Sequence, residues 1–205
     1  GESIIFSVPS GNFGDMMGGL LALHMGLPVK RFIIATNEND EFPRFLETGR
    51  YDKIMPSRNC ISSAMNVGHP SNLARVVALY NGRMDEQGLI SKEPEFKTMR
   101  RDMASYCITD RDTEKTIQEA YARFKTLLEP HGAVGWAGLQ RYLEDHPDSA
   151  GDLCVSLETA HPAKFPEKLI ELLSIDPELR RLVLFGSLVP EHHAELVERF
   201  GSKSA

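Results

Sequence analysis

The opening 36 residues constrain the fold more than any other part of the chain. Ile4-Ile5-Phe6-Ser7-Val8 is a short apolar run of branched and aromatic residues closed by Pro9, the pattern of a strand buried on both faces. Ser10-Gly11-Asn12-Phe13-Gly14-Asp15 follows with turn residues and an acid placed to cap a helix. An apolar helix then runs to about Met25, where Gly26 and Pro28 stop it. Lys30 to Thr36 reads as a second strand. Strand, tight loop, helix and strand make a β-α-β unit, whose crossover is expected to be right-handed. The fold class that follows is α/β, a mostly parallel sheet flanked by helices.

The remainder fits that frame unevenly. From Asn37 to about Met99 the pattern is irregular, with turns at Thr48-Gly49 and Gly68-His69-Pro70 and one helix across Leu73 to Tyr80. Met103 to Ile108 has strand character, and Ile117, Ala120, Tyr121, Phe124 and Leu128 form one stripe of a helix. Pro130-His131-Gly132 breaks that pattern before a helix over Ala133 to Leu143. Leu153 to Leu157 is another strand, and Pro166 opens a helix through Leu173. Arg181 to Phe185 reads as a last strand, with a closing helix from Pro190 to Phe200. No linker or repeat divides the 205 residues, so one domain is expected.

Composition narrows the function. With 41% hydrophobic and 25% charged residues the chain is neither disordered nor fibrous. A net charge of -6 opposes gripping a nucleic-acid backbone. Met16 to Val29, interrupted by His24 and Pro28, is too short to span a bilayer. Cys60, Cys107 and Cys154 are an odd set without a C-x-x-C pair, which suits a reducing cytoplasm. His192-His193 lack the i, i+4 spacing of a metal pair, so no metal site is expected.

The densest chemical signal is Ser10-Gly11-Asn12-Phe13-Gly14, between a strand and a helix. Outward-pointing backbone N–H groups, the helix dipole and close backbone approach at glycine suit an oxyanion such as phosphate. Loops at the carboxyl ends of parallel strands are also where ligands collect in open α/β sheets. No Gly-Lys-Ser/Thr and no G-x-G-x-x-G spacing is present, so the nucleotide readings weaken. A plain glycine turn between strand and helix explains the same letters.

Val8-Pro9-Ser10-Gly11-Asn12-Phe13-Gly14-Asp15 closely resembles the cofactor-phosphate loop of threonine synthases, pyridoxal-phosphate enzymes of the fold-type-II, tryptophan-synthase-β-like group. Three further blocks resemble the family in order: Ala35-Thr36-Asn37-Glu38-Asn39-Asp40 with Pro43-Arg44-Phe45-Leu46, Pro130-His131-Gly132-Ala133-Val134-Gly135, and Thr159-Ala160-His161-Pro162-Ala163-Lys164-Phe165. The pattern is similar to the longer bacterial and fungal type. The resemblance implies a lyase that converts O-phospho-L-homoserine and water to L-threonine and phosphate, with pyridoxal 5'-phosphate as the electron sink.

Residue by residue, the resemblance places Ser10, Gly11, Asn12, Phe13 and Gly14 around the cofactor phosphate and Thr159 near the pyridine nitrogen. A helix-side cap or turn hydroxyl is the alternative reading of Thr159. Asn37, Asn72 and Arg75 are polar groups near turns that could meet a substrate phosphate, as solvated surface groups would equally explain. Asn66 stands where the family carries an aspartate. His131 and His161 lie in matching blocks; hydrogen bonding to nearby loop backbone accounts for both. The family's cofactor-binding lysine belongs to a Ser-Phe-Lys-Asp type segment upstream of the glycine loop. No lysine here has that setting, and Lys164 is not the family's imine lysine. The expectation is a carboxyl-terminal portion of a threonine synthase large domain, inactive alone and completed by the amino-terminal remainder. A non-catalytic phosphate-ligand or interaction module is the alternative; a dehydratase or cystathionine synthase relative is opposed by the His-Pro-Ala-Lys-Phe block.

Overall fold

A computed structural model describes residues 3–175. The chain divides into two compact units, Gly1–Thr159 and Ala160–Ala205, although no linker announces the boundary in the sequence. The expected strand over 181–185 and helix over 190–200 lie outside the described residues.

The first unit is built on a four-stranded sheet in the order β5-β2-β1-β6, comprising β1 (Ile4–Pro9), β2 (Val29–Thr36), β5 (Met103–Cys107) and β6 (Leu153–Ser156). Every neighbouring pair is parallel, with Ser7 opposite both Ile33 and Ser156, and Ile33 opposite Ala104. Helices α1 (Gly14–His24), α2 (Glu41–Thr48), α3 (Leu73–Leu79), α4 (Phe96–Asp102), α5 (Asp110–Phe124) and α6 (Pro130–Asp145) surround it, with a small antiparallel pair, β3 (Arg83–Met84) and β4 (Ile90–Lys92).

Alternation along the two central strands explains why both faces are covered. Phe6 and Val8 of β1 and Phe32 and Ile34 of β2 join the core that holds Met16 and Leu20 of α1. Ile5 and Ile33 turn the other way, against Leu139 and Tyr142 of α6, while Ala35 meets Val134 and Ala137. Successive side chains on a strand point to opposite faces, so an uninterrupted apolar run needs a helix on each side. Ser7, wholly buried, donates its hydroxyl to Gly135 O at 2.6 Å, which fixes β1 against α6 without an orphaned polar group.

Several boundaries differ from expectation: Leu128, expected on the helix stripe, lies beyond α5, which ends at Phe124 with Lys125 in the left-handed conformation. Pro130 does not break a helix; it is the first residue of α6, where its missing N–H costs nothing, and Glu129 is the N-cap. Asp15 does not cap α1: Phe13 holds the N-cap position without a side-chain bond, and Asp15 lies in the first turn. In the second unit, a 3-10 turn (Pro162–Lys164) precedes α7 (Pro166–Leu173).

Candidate functional site: an anion-binding bend at the switch point of the sheet

The chain leaves β1 through α1 to β2 and β5 on one side, and returns much later as β6 on the other. Strand order therefore reverses at β1, and a crevice opens beyond the carboxyl ends of β1 and β6, the place where open α/β sheets bind ligands. Ser10 to Gly14 leaves β1 at this point. Thr159 follows β6, whose alignment with β1 continues through the bond from Leu157 N to Ser7 O at 2.9 Å. Ser10 to Gly14 and Thr159 thus follow neighbouring parallel strands at the same end of the sheet.

The geometry of the bend suits an anion. Ser10 N donates to Ala35 O at 2.8 Å, and its hydroxyl is turned back to Val8 O at 2.9 Å, which leaves that hydroxyl no free proton. The amides of Gly11, Asn12, Phe13 and Gly14 donate to no acceptor among the described residues. Phe13 adopts the left-handed conformation (φ 62°, ψ 26°), a cost on the order of 1–3 kcal/mol for a non-glycine residue. Its ring, 2% exposed, is held edge-on to Phe42 with centroids 4.9 Å apart, and this burial offsets the strain. Such a turn points successive N–H groups to one side, as anion-binding concavities require. Space around Gly14 is open, since a Cβ there would meet nothing within 4 Å. Unspent amides, a helix start and open space fit a phosphate group.

Asn12, Asn72 and Arg75 come together beside the bend. Asn12 Oδ1 accepts from Ser71 N at 2.6 Å and from Ser71 Oγ at 3.0 Å. Asn72 Nδ2 donates to Asn12 O at 2.8 Å, and Arg75 Nη1 donates to Asn72 Oδ1. Asn72 therefore clamps the bend itself, and Arg75 is an exposed cation at its rim.

Asn37 is placed differently. It is 1% exposed, donates through Nδ2 to Ser62 Oγ at 3.1 Å and Asn66 Oδ1 at 2.9 Å, and accepts through Oδ1 from Asn39 N at 3.0 Å. Its amide nitrogen is committed to the turn over residues 62–66 and its oxygen to Asn39. Asn66 also accepts from Cys60 N at 3.1 Å and donates to Cys60 O at 3.2 Å. The second of these bonds needs an amide, which an aspartate lacks.

Thr159 is exposed and makes no hydrogen bond among the described residues, so it is neither a cap nor a turn hydroxyl. The local cap there is His161, whose Nδ1 accepts from Ala163 N at 3.1 Å. His131 likewise bonds loop backbone, through Ala64 N. Lys164 is exposed.

Two carboxyls went unread in the sequence. Glu158, beside Thr159, lies with its carboxylate against Gly132 in the first turn of α6; burial, and then the neighbouring Glu129, push its pKa up to about 7. Glu41, the first residue of α2, is 1% exposed with Oε2 unpartnered, and burial raises its pKa to about 7. Neither belongs to a spacing motif that would have flagged it.

The parallel sheet with its switch point beside the bend matches that of solved threonine synthases, pyridoxal-phosphate enzymes of fold type II. A family model described as "Threonine synthase, C-terminal" matches residues 132–200. A threonine synthase of Serratia marcescens is 34% identical over 98% of this chain and 42% of its own length. Among solved structures, the PLP-bound threonine synthase of Brucella melitensis superposes with a TM-score of 0.74 at 30% identity, over 86% of this chain and 39% of that one. The threonine synthase of Escherichia coli gives a TM-score of 0.68 at 36% identity, over 84% and 36%. The chain belongs to the threonine synthase family as a partial region of it, spanning about two fifths of the length of the curated relatives it matches.

Proposed function

We propose that this chain is the part of a threonine synthase that seats the cofactor's phosphate, within an enzyme that converts O-phospho-L-homoserine and water to L-threonine and phosphate. The observation that carries the reading is the set of four unspent amides, Gly11 to Gly14, at the mouth of β1 and next to the strand that leads to Thr159. Pyridoxal 5'-phosphate, bound there, supplies an electron sink that lets bonds to the substrate's carbons break and form.

The chain's own residues bind and orient. Backbone N–H groups of Gly11 to Gly14 and the amino end of α1 would hold the phosphate dianion. Asn72, bonded to Asn12 O, keeps the bend open. Arg75 adds positive charge at the rim, where a second phosphate, that of the substrate, would be attracted. A neutral hydroxyl such as that of Thr159, set beside the ring nitrogen, would leave that nitrogen largely unprotonated. The chain spans about two fifths of its relatives' length, and the lysine that would hold the cofactor would come from the rest of such an enzyme. Three free cysteines suit work in a reducing cytoplasm.

Titrating the 205-residue chain with inorganic phosphate should shift the amide resonances of residues 11–14. Adding the remainder of the enzyme should then restore phosphate release from O-phospho-L-homoserine. Amides that stay put under saturating phosphate would overturn the cradle, and absence of phosphate release after reassembly would overturn the activity.

A further inference from the structure

We propose that Glu129 and His131 are positioning residues for the anion-binding bend, acting through the backbone of Ala64 and Met65. The inference rests on the reading of that bend as the phosphate cradle. Both side chains are buried, Glu129 at 0% and His131 at 3% exposure. One hydrogen bond, from Ala64 N to His131 Nε2, links the start of α6 to the turn beneath Gly11.

Glu129 caps α6. Its Oε1 accepts from Gly132 N at 2.7 Å, and its Oε2 accepts from His131 N at 2.8 Å and faces His131 Nδ1 at 2.6 Å. On the other side of the ring, His131 Nε2 accepts from Ala64 N at 3.1 Å. An acceptor nitrogen carries no proton, so the hydrogen-bond network assigns the ring's single proton to Nδ1, which donates it to Glu129. The carboxylate thus fixes the tautomer, and the tautomer fixes the Ala64 amide.

What Ala64 and Met65 then hold is the bend. A Cβ on Gly11 would stand 2.8 Å from Met65 Cα and 3.1 Å from Ala64 O, so main chain lies directly on main chain. Moving the 63–65 turn by a few tenths of an ångström moves Gly11, and with it the direction of the amides that follow. Asn37 secures the same turn from the sheet side through Ser62, whose carbonyl accepts from Met65 N at 2.9 Å. The turn is therefore gripped from two elements, β2 through Asn37 and α6 through His131.

Three variants of the 205-residue chain test this by phosphate titration, with amide resonances read in parallel. His131→Ala removes the acceptor for Ala64 N and should weaken phosphate binding about tenfold while shifting the Gly11 to Gly14 amides of the ligand-free chain. His131→Gln places Oε1 where Nε2 stood and should bring affinity back to within about twofold of the parent. Glu129→Gln keeps size and part of the cap but offers an NH2 group toward Nδ1. The other tautomer then sets an N–H against Ala64 N–H, and a loss similar to that of His131→Ala is expected. If the parent binds phosphate and both His131→Ala and Glu129→Gln retain its affinity within twofold with unmoved bend amides, the positioning inference falls and the cradle stands. If the parent itself shows no phosphate site, the cradle falls and this inference with it. Should His131→Ala fail to fold, Glu129→Gln and His131→Gln decide: equal affinity in those two would overturn it.

Discussion

Gly11 and Met65 meet main chain to main chain: a Cβ on Gly11 would lie 2.8 Å from Met65 Cα, closer than real Cβ contacts allow. Gly14, three residues on, has nothing within 4 Å of the same point. Two glycines of one bend are therefore under different constraints. The first is fixed by close approach, and the second leaves room in front of the helix start.

That difference predicts the behaviour of two alanine variants. Gly11→Ala must push the bend off the 63–65 turn, costing roughly 1–3 kcal/mol as overpacking does, and phosphate binding should be lost. Gly14→Ala meets no steric barrier, so its folding stability should stay within about 0.5 kcal/mol of the parent. Urea unfolding and phosphate titration measure both. A Gly11→Ala chain as stable and as tightly binding as the parent would refute the close-approach argument.

The Asn12–Ser71–Asn72 cluster predicts an effect on binding through the bend's shape. Asn12→Ala deletes two bonds to Ser71, and Asn72→Ala deletes the bond to Asn12 O. These bonds are exposed, so each variant should lose only about 0.5–1.5 kcal/mol of stability per bond removed. Phosphate affinity should drop in both, because each frees the bend. A titration in which Asn72→Ala binds phosphate as the parent does would leave Asn72 a surface residue only.

The strands that carry the site were legible because β1 and β2 are sandwiched between helices and so read as unbroken apolar runs, Ile4 to Val8 and Phe32 to Ala35. Helix α2 escaped notice for the opposite reason. Its core face is Phe42, Phe45 and Leu46, three residues in an octamer otherwise polar and carrying Pro43 in the first turn. Helix α4 and the β3–β4 pair are too short for any periodicity to emerge. In the site, the bend announced itself through its glycines, and the PHGAVG block through resemblance. Asn37's commitment to Ser62 and Asn66, and His131's reach to Ala64, did not, because each joins residues 25 to 67 apart in sequence. Glu129 had a local signal that could have been read: an acid directly before proline, at the start of an apolar helix, is a capping arrangement.

Phe13 predicts a trade between strain and packing. Phe13→Gly relieves the left-handed conformation but removes a ring that is 2% exposed and packed on Phe42. Deleting a buried phenylalanine costs about 3–5 kcal/mol, which exceeds the roughly 1–3 kcal/mol of strain recovered. Net destabilisation is expected, measured as a lower urea midpoint. A Phe13→Gly chain more stable than the parent would mean that the strain outweighs the packing.

Glu41 makes stability fall with rising pH. Burial raises its folded-state pKa to about 7, while the unfolded chain keeps the ordinary carboxyl value of 4.5. Below the unfolded value both states hold the proton and pH has no effect through this group. Between the two values the unfolded state releases its proton more readily, so unfolding gains, and the loss is complete once pH passes the folded value. With 1.36 kcal/mol per pKa unit the full effect is about 3 kcal/mol. Glu41→Gln keeps the shape and cannot ionise, so its urea midpoint relative to the parent should rise from pH 5 to pH 8. Glu158, whose carboxylate lies against Gly132 while the residue as a whole is exposed, should add a smaller drift of the same sign in its Glu158→Gln variant. A parent-to-Glu41→Gln difference that is constant over this range would show that Glu41 stays ionised in the folded chain, which a carboxylate 1% exposed with an unpartnered oxygen should resist.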